Sequence, residues 1–221
     1  MTRLLETMVA GKKTIGFYGD SFCADDNETS WTNILAHKLD AQVVNRGKNG
    51  HSIWTAILDF LNKPTPTYSV FCWTSPDRLY HPKYPANIHS TSGSAFFDNA
   101  VKSYFLYLWN EQKEYLNYKW AIEYFNTTIL QNANSKIVQC TCFDSTEGSP
   151  GVEVNLSIGK IFHQSLISYS GYTIQDHIKK NWGPINHMTI EKNASLSEDI
   201  YNLIWQNPSA DDKIAQDDGG W

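Results

Sequence analysis

The chain has 221 residues, a net charge of −5, 41% hydrophobic residues and 14% aromatic residues. That is enough apolar material for one α/β domain with a full core, and it excludes a disordered chain. The acidic balance and the lack of a Lys/Arg cluster argue against a nucleic-acid partner, and no apolar stretch approaches the length of a membrane span.

The N-terminal MTRLLETMVAGKK has a short apolar patch but no signal-peptide core. KKTIGFYG (12–19) is apolar and bounded by turn signals, which predicts a buried strand of a parallel sheet. In 28–39, Trp31, Ile34, Leu35 and Leu39 recur at helical spacing, and Thr29 or Ser30 can cap the start. AQVVNRG (41–47) reads as a second strand ending in glycine. The spacing of Ile53, Ala56, Ile57, Phe60 and Leu61 predicts a helix over 52–61, stopped by Pro64. YSVFCWTS (68–75) is a third strand. From Pro76 to about Gly93, proline, histidine and serine punctuate a long loop, and long loops in small domains often carry function. Residues 95–130 predict one or two aromatic-rich helices, 135–143 a fourth strand, 144–187 an irregular stretch with short helices, and 189–206 a final helix. Residues 1–206 thus form one domain, followed by a polar tail over 207–221.

Strands alternating with helices imply a three-layer α/β/α architecture around a central parallel sheet. In such sheets ligands sit at the carboxyl ends of the strands. That rule places three loops together: Gly19–Ser21, Gly47–Ser52 and Thr74–Arg78. The four cysteines, Cys23, Cys72, Cys140 and Cys142, fit neither a zinc ribbon nor a C-x-x-C motif, and are read as reduced core thiols of a chain kept in a reducing cytosol. No metal site is expected. The first strand-to-helix turn has neither G-x-G-x-x-G nor a Walker lysine, so no nucleotide or flavin cofactor is expected either.

Ser21 lies just past the first strand. A serine hydroxyl is a poor nucleophile unless a base takes its proton, and histidine is the usual base near neutral pH. Of seven histidines, His187 in NHMT directly precedes the last helix, where a loop base can reach the sheet edge beside Ser21.

Three stretches in this order resemble the motif blocks of the SGNH (GDSL-type) hydrolases. GFYGDSFC resembles the block that carries the nucleophile. VVNRGKNGHSIWTAI, with Asn45, Gly47 and Gly50, resembles the N-x-G-x-x-G block. INHMTIEKNASLSEDIYNLI resembles the closing block with its histidine. The resemblance implies a flavodoxin-like SGNH hydrolase fold and a serine esterase in which Ser21 attacks an ester carbonyl and His187 takes its proton. The N–H groups of Ser21 and Gly50 would face the oxyanion. Two departures stand out. The third block, usually Gly-x-Asn-Asp, reads FCWTSPDRLYH, so Thr74, Ser75 or Arg78 would have to supply oxyanion or substrate contacts. The final block, usually Asp-x-x-His, has Pro184 in place of the acid. Asp176 is the nearest upstream acid, Glu191 follows closely at a helix start, and a backbone carbonyl could orient the imidazole in a Ser–His dyad.

WTSPDR together with NHMT is similar to divergent SGNH-like proteins of tailed bacteriophages, notably those of marine cyanobacteria. That resemblance implies a small ester or acylated carbohydrate as substrate, with Trp54, Trp73 or Tyr80 available to stack on sugars. It implies location in the host cytoplasm or the virion, with virion proteins or further copies of the chain as partners. The alternative it implies is a catalytically weakened structural or receptor-binding component of the particle.

Overall fold

Alternation along the strands decides the layers. A computed structural model of the chain describes residues 11–87, 92–144, 156, 159–172 and 185–206. Strand β1 (Lys13–Tyr18) sends Ile15 and Phe17 to one face of the sheet and Tyr18 to the other. Strand β3 (Tyr68–Trp73) divides Tyr68, Val70 and Cys72 from Phe71 and Trp73, and β4 (Lys136–Thr141) divides Val138 and Cys140 from Ile137. A strand buried on both faces cannot alternate with polar residues, which is why these runs are nearly continuously apolar.

The edge strands are β2 (Ala41–Asn45) and β5 (Lys160–Phe162). All five strands are parallel, in the order β2-β1-β3-β4-β5, the flavodoxin-like order. Helices α1 (Trp31–Lys38), α5 (Leu166–Ser170) and α6 (Ile190–Trp205) pack their apolar sides on the Ile15–Val70–Val138 face. Helices α2 (Ile53–Leu61) and α4 (Glu111–Tyr124) cover the Tyr18–Phe71–Trp73 face. The expected three-layer α/β/α domain is therefore the observed fold.

Local differences from the sequence reading have physical causes. Ser30, not Thr29, caps α1, its hydroxyl accepting from Asn33 N–H. The aromatic stretch splits into α3 (Ala95–Tyr107) and α4, with Asn110 capping α4 by accepting from Lys113 N–H. A π-helical turn over Phe125–Leu130 extends α4. Strand β5 was not expected: at three residues it is too short to show a period, and its pairing with Val138–Cys140 is purely tertiary. The expected tail over 207–221 lies outside the described residues.

Candidate active site

The strand order reverses at β1, so the crevice of the sheet opens outside the carboxyl ends of β1 and β3. Beyond β1 the chain turns through Gly19 and Asp20 into a 3-10 turn, Ser21–Cys23. Gly19 is required here, since a Cβ would lie 2.4 Å from Cys72 O. Gly47, from the loop after β2, is required as well: a Cβ there would lie 2.5 Å from both Asp20 O and Cys23 Sγ. Backbone bonds lock the two loops together, Gly47 N–H donating to Cys23 O at 3.1 Å and Lys48 N–H to Gly19 O at 3.0 Å.

Asp20 is the hub of this turn. Its side chain is fully buried, and an isolated buried carboxylate is costly unless paired and hydrogen-bonded. Oδ1 accepts from Phe22 N–H at 3.0 Å and from the Cys142 thiol at 3.3 Å. Oδ2 accepts from the Thr74 hydroxyl at 2.7 Å and pairs with Arg78 Nη1 at 2.8 Å. Burial, reinforced by the Asp20 charge, pushes the Cys142 thiol up well above its ordinary value, so it stays protonated as a donor. The guanidinium of Arg78, one-tenth exposed, also lies 5.5 Å from the Phe143 ring centroid. Thr74 and Arg78, expected to meet substrate, thus point at Asp20 and fasten β3 to the Ser21 turn.

The opposite wall is the turn Ile185–His187, whose described part begins at Ile185. Asn186 and His187 both have left-handed backbone, with φ of 51° and 61°. Two such residues in succession cost roughly 1–2 kcal/mol each by steric crowding, somewhat less for asparagine, and are kept only where the surroundings over-determine them. Reciprocal bonds do this. Asp25 N–H donates to Asn186 Oδ1 at 3.0 Å, and Asn186 N–H donates to the Asp25 carboxylate. Asn193, wholly buried on α6, donates from Nδ2 to the carbonyls of Ile185, Met188 and Thr189 and accepts from Trp31 N–H at 2.9 Å. Trp31 Nε1–H in turn donates to Phe22 O at 2.7 Å.

The Ser21 turn and the His187 turn are thereby clasped, with the rings of Phe22 and His187 4.8 Å apart between centroids. Ser21 is half-buried and His187 is 7% exposed.

Gly50 has φ of +71°, and a Cβ there would come within 2.9 Å of Pro85, so the second loop touches the loop after β3 as well. Ser75 is half-buried at the end of β3. His51 makes a 3.0 Å contact from Nδ1 to Asn49 O, and His81 Nδ1 accepts from the N–H groups of Lys83 and Tyr84, so the latter ring orders its own loop. Trp73 is core, its Nε1–H bonded to Gln139 Oε1 at 2.8 Å, while Tyr80 is 46% exposed. Asp176 and Pro184 lie outside the described residues. Glu191 is exposed on the first turn of α6, where bonds from its own N–H and from Thr189 hold its carboxyl below the usual range. That is the helix-dipole role. Among the described residues no group of three His, Cys, Asp or Glu side chains is placed to hold a metal ion.

Three residues escaped the motif reading. Asn193 was detectable, because a polar residue on the otherwise apolar stripe Leu196–Ile200–Ile204 has to find hydrogen bonds. Asp25 pairs with Asn186 across 161 residues of sequence, and nothing local announces it. Asn186 itself is buried, and among the described residues its Nδ2 has no hydrogen-bond partner. A buried amide donor beside His187 is a group that a ligand oxygen can satisfy.

No protein-family model matches the sequence, and no curated protein matches it. Among solved structures, the fold is similar to a protein from Parabacteroides merdae provisionally named a GDSL-like lipase, with 12% identity, a TM-score of 0.45, and coverage of 87% of this chain and 97% of that one.

Proposed function

We propose that this protein is a serine hydrolase of SGNH type acting on esters, with Ser21 as nucleophile and His187 as base. The observation that carries the reading is the clasp between the Ser21 and His187 turns at the sheet's carboxyl edge, closed by Asp25–Asn186 and by the Phe22–His187 ring contact. Strained backbone at His187 supports it, since such strain collects at functional sites.

In this reading Ser21 Oγ attacks the ester carbonyl while His187 accepts the hydroxyl proton, then returns it to the leaving alcohol. The N–H groups of Ser21 and Gly50 stabilise the oxyanion, with Ser75 at the rim. The Asp20 carboxylate, already engaged in three hydrogen bonds and the Arg78 ion pair, holds the turn and takes no part in proton transfer. A small acyl ester of a carbohydrate suits a site with Tyr80 exposed at its approach.

A fluorophosphonate probe tests the assignment. Labelling of Ser21 is expected, abolished in Ser21→Ala and slowed about 10²-fold or more in His187→Ala. Absence of any Ser21 adduct on the folded protein would refute it. The near-complete burial of His187 favours a second reading, a catalytically weakened component of a phage particle. Folded protein that takes up no label would support that one.

A further inference from the structure

The edge strand β2 borders a groove that shares no side chain with the clasp between Ser21 and His187. Its volume is about 440 Å³, the size of a small-molecule site, and Arg46, Lys48 and Lys63 line it together with Val43 and Val44. Val44 is an extra residue in the β1–β2 pairing, where Val43 lies opposite Ile15 and Asn45 opposite Gly16. Bulges at sheet edges re-aim side chains, and Val44 is 43% exposed here.

Three cations line this one groove in a chain of net charge −5, and each is held in place. The fork of Arg46 is filled. Nη1 donates to Asp25 O and Thr32 Oγ1, and Nη2 donates to the Asp26 carboxylate and Asn33 Oδ1. Lys48 pairs with Asp59 at 2.7 Å. Lys63 has no carboxylate partner among the described residues. Its ammonium donates instead to Asn45 Oδ1 at 2.5 Å, and the buried Asn45 amide is itself locked by donating to Phe17 O at 2.7 Å. A lysine held against a neutral amide gives up rotamer freedom while its charge stays uncompensated. It is thereby preorganised for an anion, which lowers the entropy lost on binding.

The donors left over define that anion. A carboxylate is recognised best by both arms of an arginine fork, and those of Arg46 are taken. Each lysine ammonium has three N–H donors, acts as a point charge and suits phosphate. The groove is larger than a phosphate group and carries two valines, so it has room for an organic substituent. A nucleic acid is the poorer match. Two of the three cations already face carboxylates, which leaves no basic track for a phosphate backbone to follow.

We infer that the β2 groove binds a small phosphate monoester, with the phosphate on Lys48 and Lys63 and the organic part against Val43 and Val44. The inference is independent of the catalytic reading. Calorimetric titration of the full chain with phenyl phosphate at low salt tests it, with an expected Kd of about 1 mM or tighter. Lys63→Gln keeps an amide donor for Asn45 and removes only the charge, so it should weaken binding about tenfold. Inorganic phosphate should also bind about tenfold more weakly than the ester.

Should the variant misfold, the wild-type chain gives a second readout. Acetylation of Lys48 and Lys63 by acetic anhydride, mapped by mass spectrometry, should slow in saturating phenyl phosphate, while that of the exposed Lys102 on α3 stays constant. Four outcomes would overturn the inference. The first is no saturable binding up to about 10 mM, far above that Kd, with no protection of either lysine. The second is binding that Lys63→Gln leaves unchanged. In the third, benzoate binds as tightly as phenyl phosphate, which would make the site a carboxylate site. In the fourth, inorganic phosphate binds as tightly as the ester, which would assign the groove to the free ion.

Discussion

At the scale of single residues, the candidate site is governed by one buried carboxylate. Asp20 is bonded to Phe22, Thr74, Arg78 and Cys142, which belong to three separate stretches of chain. Removing one partner of a buried pair leaves an uncompensated charge, typically costing about 3–5 kcal/mol. Arg78→Met is therefore expected to lower the urea-unfolding free energy by about 3 kcal/mol, since three donors to Asp20 remain. It should also slow fluorophosphonate labelling of Ser21 in protein that is still folded. Equal stability and equal labelling in the variant would remove Arg78 from the account. The GDS motif was readable from the sequence, because it is local. The role of Arg78 was not: it sits 58 positions from its partner, and its charge fitted an anionic ligand equally well until Asp20 was seen beside it.

Among the elements, the α3–α4 hairpin rests on Glu114. Burial works to raise its carboxyl, but hydrogen bonds from Tyr104, Lys113 and Asn117 outweigh it and hold the group below its ordinary value of 4.5. A carboxyl depressed by folding stabilises the fold above its unfolded value, and that contribution is lost as pH falls through the folded one. The hairpin should thus loosen below pH 4.5, seen as faster amide exchange along α3 before the sheet responds. Tyr104→Phe should shrink that pH dependence, and exchange along α3 that is flat with pH would contradict it. The sequence predicted one or two helices here; the break between them at Asn110 came from the structure. Which aromatics face inward was not readable either, because rings on every side of α3 give no clean stripe.

For the molecule as a whole, both helical layers lean on one sheet whose central strands are buried on two faces. Trp31 lies in the core on one side and Trp73 in the core on the other. Loss of either layer exposes the same strands, so unfolding should be a single transition. Tryptophan fluorescence, to which Trp31 on one face and Trp73 on the other both contribute, should give the same urea midpoint as far-ultraviolet circular dichroism. Separate midpoints would mean that the layers are independent.

The sequence alone settled the layer architecture, the order of the main strands and helices, and which loops share the carboxyl edge of the sheet. These follow from periodicity, from capping side chains and from the handedness of parallel crossovers, all of which act over short stretches of chain. Tertiary structure decided the rest: the pairing of β5, the Asp20–Arg78 contact, the Asp25–Asn186 clasp that brings Ser21 and His187 turns together, and the outward-facing aromatics of α3. Each depends on groups far apart in sequence meeting in a low-dielectric interior, or failing to meet a core at all. Neither outcome leaves a mark on its immediate neighbours in the chain.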